Sequence, residues 1–174
     1  MDDDAWPAEW LAQVEAGLSP SQHAFLAAWH RRTQTWPYDA RGNIRPVEEH
    51  NGHLVVYADL VETTHSRSLL TIAAHVAETT VRCDHVHSQL LTLPDAPTAD
   101  ALMATGSPED LADRSADWFE NILRRRVVCH EWRLQAGRAI RDWRFTDTGE
   151  TLTAQYPRQS RPPDAIYDVR TEWS

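Results

Sequence analysis

The chain has 174 residues, is 41% hydrophobic and 25% charged, and carries a formal net charge of −9 from 26 acidic and 17 basic residues. That size suits one domain burying roughly 70% of its unfolded surface, and the acidity counts against nucleic-acid and anionic-membrane partners. Every basic residue is Arg, which excludes Schiff-base and P-loop lysine chemistry.

The N-terminal run MDDDAWPAEW is acidic and lacks the apolar stretch of a signal peptide. No apolar run approaches the ~20 residues that a membrane span needs. Cys83 and Cys129 are too few for a disulfide framework and suit a reducing cytosol, so a cytoplasmic protein is expected. Residues 7–16 read as a short helix, with Pro7 at its first position, Gly17 at its stop and Trp10, Leu11 and Val14 on one face. Ser19-Pro20-Ser21-Gln22 is a capping box opening a second helix, in which Phe25, Leu26 and Trp29 recur at helical spacing until Trp36-Pro37 ends it.

Asn51-Gly52 is the clearest hairpin signal, because both residues tolerate the positive φ of a type I′ turn. It is expected to join a strand over 44–50 to one over 53–62, with Val47 opposite Val56 and His50 opposite His53. In the second of these, Leu54, Val56, Ala58 and Leu60 share one face. Residues 67–79 give Leu70, Ile72, Ala74 and Val76 against Thr71, His75 and Thr79, the alternation of a half-buried strand. Alternation continues through Val81, Cys83, His85, His87, Gln89 and Leu91, which favours a strand, either continuing the one before it or bending back, with a short helix as the alternative. A single helical turn is expected around Ala99–Met103. Ser107, Pro108, Glu109 and Asp110 then open a strongly signalled helix over 107–126, with Leu111, Ser115, Trp118, Phe119, Ile122 and Leu123 as its apolar stripe.

Residues 127–135 and 138–146 flank Ala136-Gly137, and a two-residue loop there puts Trp132 opposite Arg141, His130 opposite Trp143 and Val128 opposite Phe145. The turn Asp147–Glu150 then puts Phe145 opposite Leu152, Trp143 opposite Ala154 and Arg141 opposite Tyr156. In this register Cys129, Glu131, Arg133, Asp142 and Arg144 face water. Its flaw is that Glu131 meets Asp142, a repulsive pair. Residues 164–173 alternate as a strand again and suit an added edge strand beyond a domain spanning 1–156, with 157–174 as the tail.

No GxGxxG, GxxxxGK, GxSxG or HExxH pattern occurs. Two constellations carry the chemistry that remains. Cys83, His85 and His87 would share one strand face at roughly 6.5–7 Å spacing, a donor set for zinc, with His75 as a fourth ligand. Nine scattered histidines also produce such pairs by chance. The second is the face with His130, Trp132, Arg141, Trp143 and Tyr156, where Arg141 would lie between Trp132 and Tyr156 and His130 could serve as general base. The plain alternative is that these aromatics are core and that Arg141 lies at its edge. His50, His53 and His65 read as solvated surface histidines.

Together these elements predict an α+β fold: an antiparallel sheet of about six or seven strands in two meanders, with two N-terminal helices and one central amphipathic helix packed on it. The order of elements resembles that of type III secretion chaperone-like proteins and of NTF2-like and SnoaL-like proteins. The first resemblance implies a helix-covered bent sheet, the second a pocket enclosed by a curved one. The expected function is a small acidic binding protein of adaptor, chaperone or immunity-like kind, meeting another protein or a second copy of itself. Its rivals are a small-molecule pocket protein or enzyme using the His130 face, and a metal protein using Cys83, His85 and His87.

Overall fold

The computed structural model describes residues 16–37, 43–45, 51–134, 137–154 and 160–173. The helix expected over 7–16 lies outside them except for Ala16. Helix α1 spans Pro20–Thr33 and begins as its capping box requires: Ser19 Oγ accepts the Gln22 N–H and the Gln22 side chain returns to the Ser19 N–H. Helix α2 spans Pro108–Leu123 with Ser107 as its cap, Oγ accepting the Asp110 N–H. All six residues of its stripe are buried. The two helices pack on each other through Phe25, Trp29, Trp36 and Phe119, whose rings meet at 4.9–6.5 Å. Arg32 clips them together, holding Asp117 at 2.9 Å and Glu120 at 2.8 Å.

The strands are β1 (Asn43–Arg45), β2 (Leu54–Glu62), β3 (Arg67–Val76), β4 (Thr80–His85), β5 (Leu102–Thr105), β6 (Val127–Arg133), β7 (Ala139–Phe145), β8 (Thr151–Ala154) and β9 (Ala165–Val169). The fold is α+β with antiparallel strands, but in two sheets rather than one: sheet A in the order β1-β2-β3-β4-β5 and sheet B in the order β8-β7-β6-β9. Each meander closes as a sheet of its own, and β5 and β9 lengthen them. One core joins the layers, with Leu54, Val56, Ala58, Ile72 and Ala74 of sheet A facing Val127, Trp143, Phe145 and Val169 of sheet B beneath the helices. The sheets also touch where the Thr63 N–H donates to the Arg170 carbonyl at 3.0 Å.

Three local expectations change. Asn51 and Gly52 do take positive φ, 55° and 84°. Val56 nevertheless pairs with Ile44 instead of Val47, because a turn signal sets two residues and not the point where the ladder resumes. Residues 46–50 lie outside the described residues. Of the two courses open to the strand after Thr80, the chain takes the bend back, but the strand stops at His85; Leu91 has φ 52° and its N–H donates to the His87 carbonyl, closing a turn. That turn brings Leu91 against Val55 and Ala73, so the centre of sheet A is buried on both faces. Where a helical turn was expected around Ala99–Met103, Leu102–Thr105 pairs with β4 instead, Ala104 opposite Val81, since the free edge of β4 satisfies backbone groups that one helical turn would leave open. Among the described residues no helix is long and apolar enough to cross a membrane.

Candidate functional site

The loop between β6 and β7 decides which side chains meet on sheet B. The Leu134 N–H donates to the Arg138 carbonyl at 2.8 Å, so three residues, not two, separate the strands, and Gly137 supplies the positive φ (75°) that such a loop needs. One extra loop residue moves the ladder by one step, and a one-step move exchanges the faces of one strand relative to the other. Cys129 now pairs with Trp143, His130 with Asp142, Glu131 with Arg141 and Trp132 with Ile140. The β7–β8 ladder shifts likewise: Trp143 meets Thr153, and Asp142 meets Ala154.

The expected single face is therefore divided. His130 and Trp132 remain together on the outer face, whereas Arg141 and Trp143 lie on the inner one; Tyr156 lies outside the described residues. Trp143 is part of the core, with the Arg67 guanidinium 4.5 Å above its ring. Arg141 donates to Glu131 at 3.1 Å, so its partner is a carboxylate and not a Trp132 ring across the sheet. Cys129, expected to face water, is fully buried in the core. The repulsive Glu131–Asp142 pair is gone, replaced by Glu131–Arg141 on one face and His130–Asp142 on the other.

The outer face carries the better-formed polar group. Asp142 and Arg144, expected in water, stand beside His130, whose ring lies 6.0 Å from Trp132. Asp142 is only 4% exposed; its Oδ2 accepts both Nε and a terminal nitrogen of Arg144, while the buried Oδ1 accepts no hydrogen bond. Burial, and secondarily the Arg144 charge, hold the His130 imidazole below its ordinary pKa against the opposing pull of Asp142. His130 is neutral at pH 7 and offers one donor and one acceptor. The Trp132 indole N–H donates to the Arg161 carbonyl at 2.9 Å, tying this face to the segment before β9. The repulsive pair was the signal in the sequence that could have revealed Asp142 and Arg144.

The inner grouping is Cys129, Glu131, Arg141 and Tyr167. Burial pushes the Cys129 thiol up, and burial together with Cys129 pushes the Tyr167 phenol up to about 12. Neither is a nucleophile near neutral pH, since the thiolate is the reactive form.

The expected zinc donors separate. Cys83 is buried against Ser115 Oγ at 3.6 Å, and burial pushes its thiol up to about 12. His85 lies between Glu150 (3.4 Å) and Asp100 (3.8 Å), beside Arg125, which holds Asp100 at 2.7 Å and Asp147 at 2.8 Å. His87 is past the end of β4, where its Nδ1 accepts the Gln89 and Leu90 N–H groups. His75 is on the other face of sheet A, 2.8 Å from the Leu91 carbonyl. Among the described residues no three His, Cys, Asp or Glu side chains are grouped to hold a metal ion. His65 Nδ1 meets Glu62 at 3.0 Å, His53 lies beside His75, and His50 is outside the described residues.

Beyond these groupings, sheet B exposes apolar surface. Five large apolar residues are exposed among the described ones; two of them, Ile166 and Tyr167, lie on β9 beside β6, and a third, Leu134, follows the end of β6. A comparison with protein-family models, curated proteins and solved structures finds no match.

Proposed function

We propose that this chain is a small acidic binding protein of the cytoplasm, of adaptor, chaperone or immunity-like kind, and that its partner docks on β9. The observation that carries this reading is β9 itself. Among the described residues it is the last strand of sheet B, and Ile166 and Tyr167 are 57% and 40% exposed on its two faces. A terminal strand presents unpaired N–H and C=O groups, a ready template for a further strand. Natural edges are usually covered or charged on both faces, so apolar side chains there argue for use.

The test is a photoreactive phenylalanine analogue at position 167, irradiated in cells. A discrete cross-linked species is expected, lost with Ile166→Asp and absent when the analogue replaces exposed Asp113 on α2. Cross-links equally abundant and diffuse from both positions would end this reading.

A second reading, a small-molecule site on the outer face of sheet B, is favoured by Asp142, whose buried Oδ1 accepts no hydrogen bond across the ladder from His130. A ligand bringing an N–H donor on an aromatic ring would satisfy it and lie against Trp132. Benzamidine should then raise the melting temperature of the wild type and of Arg141→Gln but not of Asp142→Asn. An equal rise in all three would discard this site.

A further inference from the structure

We infer that the segment received by β9 is β9 of a second copy of this chain, paired antiparallel about Tyr167 so that sheet B of each copy joins the other. This rests on the reading of β9 as a docking edge and names what docks there. Net charge does not choose the occupant. Arg126 holds Asp168 at 2.9 Å, Arg161 holds Asp164 at 2.8 Å and Glu131 holds Arg133 at 3.5 Å. Glu62 and Glu172 lie beside Thr171, so carboxylates at least balance arginines along the edge. What distinguishes the edge is the order of its charges. In the run Asp164-Ala165-Ile166-Tyr167-Asp168-Val169-Arg170, opposite charges stand three positions to either side of Tyr167, and both end side chains are exposed.

A two-fold axis normal to the sheet keeps every side chain on its own face, so it passes through a residue and not between two. Centred on Ile166, the ladder would set Asp164 against the second copy's Asp168. Centred on Asp168, it would set that carboxylate against its own copy. Like charges directly opposite one another are destabilising. Centred on Tyr167, the ladder sets Asp164 against the second copy's Arg170, twice by symmetry, and no like charges oppose each other. The same register lays Tyr167 against its own copy and makes the two Ile166 side chains diagonal neighbours, covering the apolar residues exposed at this edge. The Thr63 N–H already takes the Arg170 carbonyl, so backbone pairing is confined to β9 and Arg170 contributes its side chain. The −9 on each copy opposes association. At about 0.15 M salt that repulsion is screened beyond about 8 Å, whereas the paired charges lie closer than this.

The experiment measures the mass of the full chain in solution by sedimentation velocity, for the wild type and for two charge reversals, Asp164→Arg and Arg170→Asp, with urea unfolding to confirm that each variant folds. The wild type should dimerise by about 100 μM, and each reversal alone, which sets like charges opposite one another twice, should weaken the dimer about ten-fold. Mixing the two reversed chains should restore it, because one chain then supplies both cations and the other both carboxylates. A dimer that neither reversal weakens, or that folded variants do not recover on mixing, would place the contact elsewhere and overturn the inference. If the wild type stays monomeric while the cross-link from position 167 joins a different protein, the second copy is the wrong occupant and docking on β9 stands. If it stays monomeric and no discrete cross-link forms, the reading of β9 fails and this inference with it.

Discussion

The β2–β3 hairpin sets Leu54, Val56, Ala58 and Leu60 opposite Val76, Ala74, Ile72 and Leu70, one aliphatic face turned to the core. In the β6–β7 hairpin each face carries an indole and ionic groups: Trp143 with Arg141 and Glu131 inside, Trp132 with Asp142 and His130 outside. A one-residue slip in the first would drive either Asp59 of β2 or His75 of β3 into the core. In the second it would exchange one tryptophan for another. Burial therefore pins the register of sheet A, while in sheet B loop length and charge pairing must do so.

The largest effect expected from this contrast is in sheet A. Ile72→Ala, at a fully buried position opposite Ala58, should cost about 2–5 kcal/mol in urea unfolding. A loss below about 1 kcal/mol would mean that the aliphatic face does not hold the register.

The two buried thiols extend the comparison through pH. Cys83 of sheet A is pushed from its ordinary 9.0 up to about 12, chiefly by burial. In the unfolded chain the thiol ionises near its ordinary value, so as pH rises above about 9 the unfolded state loses its proton first and stability falls until about 12, by about 1.4 kcal/mol per pH unit. Cys83→Ala should flatten this fall between pH 8 and pH 10, and an unchanged slope would count against the shift. Cys129 of sheet B is also raised, but Tyr167 and Arg141 oppose its burial. Alkylation of the native protein at pH 9 should modify Cys129 before Cys83; the reverse order would contradict the difference between the sheets.

At the loop that sets the sheet B register, Gly137→Ala should cost about 1–2 kcal/mol, the penalty of an L side chain in the left-handed region. No atom lies within 4 Å of the added Cβ, so the cost is conformational and not steric. A neutral outcome would remove the three-residue loop as the source of the register. The smallest effect is the most specific. A double-mutant cycle on Glu131 and Arg141 should show coupling of about 0.2–1 kcal/mol, and one on Glu131 and Asp142 none. Coupling in the second pair would restore the register with a two-residue loop.

Helix caps and apolar faces were legible from neighbouring residues, whereas the strand that replaces the helical turn expected around Ala99–Met103 was not. The capping box at Ser19, the Ser107 cap, the stripe from Leu111 to Leu123 and the core face of β2 all depend on residues within a few positions of one another. The segment 164–173 alternates because Ala165–Val169 is a strand, and pairing with β6 makes it the edge of sheet B. The candidate site was less legible. His130 and Trp132 were grouped correctly, but Asp142 and Arg144 were assigned to water, because the Ala136-Gly137 signal is equally compatible with a two- and a three-residue loop.

The sequence by itself determined where helices begin, which face of α2 and of β2 is apolar, and that every Lys-or-Arg position would be a guanidinium. Only the tertiary structure decided that there are two sheets, that β5 completes one and β9 the other, and that His130 stands across from Asp142. The reason is physical: caps and periodicity act over one or two turns of chain, whereas register and sheet membership depend on which distant backbone groups and charges are satisfied together.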